Sequence, residues 1–365
     1  MKELRWIFFH LILLCNICCA GLLLISAYGI YIDPKSLPIS SCFGLLFPIF
    51  LLANICFLFF WIIFHRKYLW PTLITLLLCF PQIRTYCPIH FQTTTIPEDN
   101  IKILSYNVMP LTSQKENEHR ADLWEYLLNS KADIICMQEY SIKDILNRKI
   151  KNDTLKNLTK TYPYIKILRV GKQGDHLSCL SKFPILSANM IDLGSDYNGS
   201  AIYKIKIDKD TITLINNHLE SNKLTRKDKG MYNDLLGKLK DPTVHLAKTE
   251  SHHLVHKLAE ASVIRSKQVK EIARIIAKSQ YKSIIVCGDF NDSSISFIHH
   301  TMLKNLNDAF TESGCGLGIS YNQNRFYFRI DNIMASKDFK PYNCTIDHSI
   351  KVSDHYPIWC YLSKQ

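Results

Sequence analysis

The sequence predicts an α/β domain of stacked β-sheets, carried behind an apolar segment that crosses a membrane. Three observations lead there. Residues 1–90 contain long stretches without a single charge. From residue 101 onward, short runs rich in Ile, Val, Leu and Tyr recur between polar turn residues. Two further stretches repeat apolar residues at three- and four-residue spacing, which fits helices laid against sheets.

The amino-terminal part comes first in the chain. No charged residue occurs from Trp6 to Ile32 or from Ser36 to Phe64, although Pro38 and Pro48 interrupt the second stretch. Both are long enough to cross ~30 Å of hydrocarbon. A third run, Tyr68 to Ile83, is shorter, carries Pro71 and Pro81, and is marginal. Residues 1–90 are therefore expected to form an anchor with two to three transmembrane helices, and residues 91–100 a polar linker. Lys2 and Arg5 precede the first run as they would in a secretory signal, but its length and the apolar sequence behind it favour a retained span. Arg66 and Lys67 lie between the second and third runs and only Lys35 between the first two. The positive-inside rule then puts the amino terminus and the His65–Lys67 loop in the cytoplasm. With three spans, everything beyond about residue 90 lies outside: a multi-pass membrane protein with an extracytoplasmic domain, periplasmic in a Gram-negative cell.

The formal net charge of +12 is concentrated: residues 222–282 hold 14 Lys/Arg against six Asp/Glu. Such a segment suits an anionic partner, nucleic acid or lipid headgroups, and a solvated lysine-rich helix surface explains it as well. Seven of the 13 cysteines fall in the first 90 residues. Three of the remainder, Cys136, Cys287 and Cys360, sit in strand-like runs ("IICMQE", "IIVCGD", "PIWCYL") and read as small buried hydrophobes.

In residues 101–365 the strand-length runs are "IKILSYNV", "ADIICMQEY", "YIKILRV", "LSCLSKFPIL", "AIYKIKI", "TITLINNHLE", "KSIIVCGDF", "FRIDNIMAS" and "YPIWCYL". Helical spacing appears at Leu123, Tyr126 and Leu127, and again from Leu254 through Leu258, Ala261, Arg265, Val269 and Ile272 to Ile276. Polar residues collect where the strands end. Asn107 closes "ILSYN", Glu139 closes "IICMQE", His218 follows "TLINN", Asp289 and Asn291 close "IIVCGDFN", Asp331 interrupts "FRIDNI", and Asp354-His355 precedes "YPIWC". One such residue is ordinarily a turn former. Six such positions, ending at a common sheet edge, would form one cleft. Carboxylates and an amide oxygen suit a hard divalent cation such as Mg²⁺, with Mn²⁺ as the alternative. A His beside an Asp can be oriented and stabilised when protonated. No G-x-S-x-G or comparable nucleophile signature is visible, which favours direct attack by water on a phosphoester.

In this order, "SYNV", "MQE", "NHLES", "GDFND", "RIDNI" and "SDHYPI" resemble the endonuclease/exonuclease/phosphatase superfamily, in a membrane-anchored bacterial form, over about residues 100–365. The resemblance implies a four-layer αββα sandwich of the deoxyribonuclease I type, and a metal-dependent phosphoesterase. It implies Glu139 as principal Mg²⁺ ligand, with Asn107 beside it and Asp354 contributing to the metal region. Asp289 and Asn291 would position or deprotonate water and contact phosphate. His355, oriented by Asp331, would act on the phosphoryl group or as base. His218 would bind phosphate or assist the leaving oxygen. Asp292 receives no role.

Some relatives place a further acidic residue between the "QE" and "HL" blocks to pair with the first His; Asp175 and His176 are the candidates here, and neither fits securely. His252, His253 and His256 could share a helix face, but Cys or carboxylate partners at zinc spacing are missing. The run "SGCGLGISYN" (313–322) reads better as a surface loop than as a phosphate loop. The expected function is Mg²⁺-dependent, nuclease-like hydrolysis of a phosphodiester or phosphomonoester. The alternatives are an extracytoplasmic lipid or polyprenyl phosphate phosphatase and, less favoured, a non-catalytic membrane scaffold. The expected partners are a phosphoester substrate, nucleic acid or phosphorylated lipid, and the membrane, with no protein partner.

Overall fold

The computed structural model describes residues 2–108, 116–140, 153–172, 174, 176–222, 244–323 and 327–365. Two amino-terminal helices, α1 (Lys2–Tyr28) and α2 (Phe43–Phe64), are long and apolar enough to cross a membrane. They pack antiparallel. Trp61 Nε1 donates to Asn16 Oδ1 at 2.9 Å, Asn54 Nδ2 donates to the Cys19 carbonyl at 3.1 Å, and Phe47 and Leu51 meet Leu23 and Ala27. Asn16 and Asn54 thus hydrogen-bond inside the pair, with Asn16 Nδ2 and Asn54 Oδ1 left unpartnered, while Leu11, Leu14, Ile49, Leu52, Phe59 and Ile63 point outward, exposed. The third apolar run differs from a single span. It forms α3 (Trp70–Leu78) and α4 (Phe80–Tyr86), separated at Cys79, because Pro81 has no N–H to continue the ladder and so starts a new helix.

The remainder holds two six-stranded sheets. The first runs β11 (Phe339–Ile346), β12 (Ile358–Lys364), β1 (Asn100–Asn107), β2 (Ile134–Gln138), β4 (His176–Ser181), β3 (Tyr164–Arg169). The second runs β5 (Ile185–Ile191), β6 (Gly199–Ile207), β7 (Asp210–His218), β8 (Ile284–Asp289), β10 (Asp331–Ala335), β9 (Asn307–Asp308). Alternation along each strand decides the layers. Ile101, Ile103, Ile134 and Cys136 of the first sheet meet Tyr203, Leu214, Ile285 and Ile333 of the second in a shared core. On the outer face of the first sheet, Leu104, Tyr106, Ile135 and Met137 pack under α5 (Glu116–Asn129) and α6 (Asp153–Thr161) through Leu123, Leu127, Leu155 and Leu158. On the outer face of the second, Ile215, Val286 and Met334 pack under α7 (Val244–Ala277) and α8 (Phe297–Met302) through Val269, Ile272 and Ile298. The result is the expected αββα sandwich.

Strand β11 has no counterpart among the sequence-predicted runs. Lys340, Pro341 and Asn343 hide it, and the structure accommodates them because β11 is an edge strand with a register shift between Tyr342 and Thr345. The cysteines of residues 101–365 are all free thiols, and only Cys315 among them is exposed.

A buried ion cluster ties the sheets to the amino-terminal helices. Asp308 Oδ2 accepts from Arg329 Nη2 at 2.8 Å, from Thr311 Oγ1 at 2.6 Å, and lies 3.1 Å from His299 Nε2; Arg329 Nη2 also reaches the Thr85 carbonyl at 3.1 Å. Burial alone would raise the Asp308 carboxyl, but Arg329 and His299 outweigh it and hold the group well below the usual carboxylate range. Its stabilisation is thus present above an unfolded value of ~4 and is lost as pH falls through the depressed folded value. Asp308→Asn leaves Arg329 buried without its counter-charge, and is expected to destabilise the fold by ~3 kcal/mol, read as a lower thermal midpoint at neutral pH.

Candidate active site

Parallel pairing brings the strand ends to one edge. β1 pairs in parallel with β2, setting Asn107 opposite Gln138, and β7 pairs in parallel with β8, setting His218 opposite Asp289. β10 runs antiparallel to β8, so its first residue, Asp331, also lies opposite Asp289. Carboxyl ends of four strands and the start of a fifth therefore open into one cleft, of about 240 Å³, lined by Glu139, His218, Asp289, Asn291, Asp354 and His355 among others.

The turns that present these side chains are locally strained. Glu139 (φ 61°) and Asn291 (φ 52°) both lie in the left-handed region, which is uncommon for a non-glycine residue and costs about 1 kcal/mol or more. Gly288 precedes Asp289 at φ 122°, and a Cβ there would stand 2.1 Å from the Asn217 carbonyl oxygen. Only glycine lets β8 approach β7 this closely just before the carboxylate. The glycine and the polar residues of "CGDFN" are thus explained together.

Asp289 is the hub. Its Oδ2 accepts from Asn107 Nδ2 at 3.0 Å, its Oδ1 accepts from the Asn291 amide at 2.7 Å, and its Oδ2 lies 3.8 Å from His355 Nε2 and 3.9 Å from His218 Nε2. Burial pushes its pKa up to about 6, with Asp331 adding to the rise and the two histidines opposing it. His355 Nδ1 donates to Asp331 Oδ2 at 2.8 Å. Burial would lower the imidazole, but Asp331 and Asp289 outweigh it and raise it to about 10. At neutral pH the pair is an imidazolium held by a carboxylate, with Nε2 turned to Asp289 and the cleft. Asn291 is fixed by Nδ2 donating to the Leu219 carbonyl at 2.9 Å.

The donors for a cation are oxygens. Asn107 Nδ2 donates to Glu139 Oε1 at 3.1 Å, while Asn107 Oδ1 is buried without a partner. An orphaned amide oxygen beside two carboxylates fits a hard divalent ion, which would satisfy it once the amide turned. Asp289, Asp331 and His355 also place ligand atoms within 4.8 Å of one another, and are the only such three-residue group among the described residues. Their closest atoms are already spent on the Asp331–His355 hydrogen bond, so that trio reads as a dyad and its neighbour, and Glu139 with Asn107 as the open oxygen set.

Several expectations need amendment. His218 Nε2 meets Glu139 Oε1 at 3.3 Å and Asn198 Nδ2 at 3.1 Å. The position between the "QE" and "HL" blocks is therefore filled by a carboxamide. Asp175 lies outside the described residues, and His176 opens β4 opposite Arg169. Asn198 Oδ1 is buried and unpartnered, so the amide can turn it toward an Nε2–H. Asp292, without a role in the sequence, accepts from Arg265 Nε at 3.1 Å, and Arg265 Nη1 donates to the Glu220 carbonyl and Asn222 Oδ1, each at 2.8 Å. Arg265 is 3% exposed and lines the cleft; an arginine in an otherwise apolar helical stripe was the sequence signal for it. Tyr321, from the end of the glycine-rich run, also lines the cleft, its ring edge-on to His355 at 5.1 Å. On α7, His256 pairs with Glu260 and stacks near His252, and His252, His253 and His256 form no metal cluster among the described residues. Much of the basic segment, residues 223–243, lies outside the described residues.

Residues 103–355 match the model of the Endonuclease/Exonuclease/phosphatase family. The chain belongs to this family. As a member of the endonuclease/exonuclease/phosphatase family it is a phosphoester hydrolase, and the cleft lies within the matched residues. Residues 9–86 match a domain of unknown function, DUF8431. Comparison with curated proteins finds no significant match. Among solved structures, D. rerio TDP2 complexed with single strand DNA product aligns with a TM-score of 0.52 at 16% identity, covering 73% of this chain and 100% of that one. The human Nocturnin catalytic domain with bound sulfate anion gives 0.51 at 13%, covering 76% and 97%. An endonuclease/exonuclease/phosphatase family protein from Leptotrichia buccalis gives 0.50 at 17%, covering 72% and 99%. At these identities the likeness is one of fold.

Proposed function

We propose that this family member is a membrane-anchored, Mg²⁺-dependent phosphoester hydrolase in which water attacks phosphorus directly. Residues 1–90 are the anchor and 101–365 the catalytic domain. The observation that carries the reading is the convergence on Asp289: two donors, Asn107 Nδ2 and the Asn291 amide, hold the carboxylate in place while the Asp331-bound His355 stands 3.8 Å away. Glu139 and Asn107, with Asp354 near, would hold the metal. When bound, the metal supplies positive charge that offsets the phosphoryl oxygens and lowers the pKa of a bound water.

The chain's own groups do the rest. Asp289, ionised at neutral pH with a raised pKa near the operating range, accepts the proton of the attacking water. Asn291 positions that water and the phosphate. His355, kept protonated and oriented by Asp331, donates Nε2–H to a non-bridging phosphoryl oxygen, and His218, restrained by Asn198, faces the leaving oxygen. Lys2, Arg5, Arg66 and Lys67 support a cytoplasmic amino terminus and α2–α3 connection, and the contacts of Asp33, between α1 and α2, with Ser266 and Lys270 support a catalytic domain on the opposite, extracytoplasmic side.

The test is turnover by the purified full chain on plasmid DNA, RNA, sphingomyelin, polyprenyl pyrophosphate and inositol phosphates, in Mg²⁺ or in EDTA. Hydrolysis of one class is expected, falling at least ~10²-fold in EDTA and returning with Mg²⁺ or Mn²⁺. Hydrolysis that is indifferent to EDTA would remove the metal from the account.

A further inference from the structure

The cleft has a wall that the catalytic domain does not supply. Ser41 and Leu45, from the start of α2 and the turn before it, line the same cavity as Glu139, Asp289 and His355. The contact is built in at backbone level: a Cβ on Gly44 would stand 1.7 Å from the Ile295 carbonyl oxygen, so α2 touches the segment that directly follows "GDFND". Ile295 is buried in the anchor's own apolar cluster with Phe47, Leu23 and Ala27. Asp33, in the connection between α1 and α2, accepts from Ser266 Oγ at 2.6 Å and also binds Lys270 Nζ, both on α7. Anchor and catalytic domain thus meet at the mouth of the cleft.

Depth follows from the same residues. Leu45 lies in the first turn of α2, within ~3 Å along the axis of the helix start at 1.5 Å per residue, so the cleft opens at the level where the apolar span begins. Around that level Tyr28, Tyr31, Leu37 and Ile39 are all more than 40% exposed, the aromatic and aliphatic mixture that settles at a bilayer interface. Within the cleft, Leu45, Leu258, Phe328 and Ile330 add an apolar lining to the polar strand ends, and Arg265 adds a buried cation. A nucleic acid needs an open basic track. The described basic residues of α7 are in part committed elsewhere: Arg265 to Asp292, Lys270 to Asp33, Arg274 to Glu271.

We infer that the substrate is the phosphoester of a membrane lipid, which enters from the bilayer surface with its headgroup against Asp289 and His355 and its glycerol, sphingoid or prenyl root along Leu45. The inference rests on the hydrolase reading above and deepens it. The test reconstitutes the full chain into phosphatidylcholine vesicles containing, in turn, phosphatidylglycerol, sphingomyelin, a phosphoinositide or polyprenyl pyrophosphate. Bis(p-nitrophenyl) phosphate and a single-stranded oligonucleotide serve as soluble phosphoesters. The expected result is hydrolysis of one lipid, at a rate set by its mole fraction in the bilayer. Leu45→Asp should lower the ratio of lipid to soluble turnover at least tenfold, with Leu45→Met restoring it. Cleavage of the soluble phosphoesters with every lipid untouched, or an unchanged ratio in Leu45→Asp, would overturn the inference and leave the hydrolase reading standing. Silence on all substrates in Mg²⁺ would overturn both.

Discussion

Asp289→Asn is expected to lower kcat by ~10³-fold while leaving the fold intact, because a positioned general base typically contributes ~10²–10⁴ and this one also anchors Asn291. The amide keeps the acceptor for the Asn291 N–H but opposes a second NH₂ to Asn107 Nδ2. Asn107 can turn to meet it, since its Oδ1 has no partner. Stability should move the other way. A buried carboxyl whose folded pKa is raised costs stability once pH exceeds its unfolded value of ~4, so removing the charge should raise the thermal midpoint in EDTA at pH 8 and change little at acid pH. An inactive protein that melts higher is the signature of a residue that serves the substrate at the expense of the fold. Wild-type turnover in Asp289→Asn would show the assignment to be wrong.

Glu139→Gln carries the second large effect. Glu139 sits at positive φ, is the more exposed of the two carboxylates that Asn107 bridges, and faces His218 at 3.3 Å. Its charge is thus poised for a cation. Glutamine keeps the shape and loses the charge, so Mg²⁺ affinity, measured by calorimetry or by Mn²⁺ paramagnetic resonance, is expected to weaken by ~10-fold or more. Turnover at low Mg²⁺ should fall by ~10³-fold and recover in part at high Mg²⁺. Loss of activity with unaltered metal affinity would move the metal to the Asp289, Asp331 and His355 trio.

What the sequence revealed and what it hid divide along physical lines. Strand-end residues such as Asn107, Glu139, His218 and Asp289 were legible because a polar group closing an apolar run must be satisfied by something outside the strand. Parallel pairing of β1 with β2 and of β7 with β8 then had to bring them to one edge. Asn198, Arg265 and Tyr321 were hidden because their partners are distant in sequence: His218, Asp292 and His355 meet them only through the fold. Strand β11 was masked by a proline that an edge strand tolerates. The third apolar run was readable as apolar but not as two helices, since the break at Cys79 depends on how Pro81 is used. Least legible was the placement of Ser41 and Leu45 in the cleft wall, for nothing in a membrane-span pattern says which loop it will face.

The most direct measurement is Mg²⁺ titration of metal-stripped full chain, following hydrolysis of bis(p-nitrophenyl) phosphate, with wild type and Asp289→Asn side by side. Saturable, Mg²⁺-dependent turnover is expected in wild type, with at least a ~10³-fold lower plateau in the variant at comparable metal affinity. Turnover without Mg²⁺, or equal plateaus in the two proteins, would contradict this mechanism.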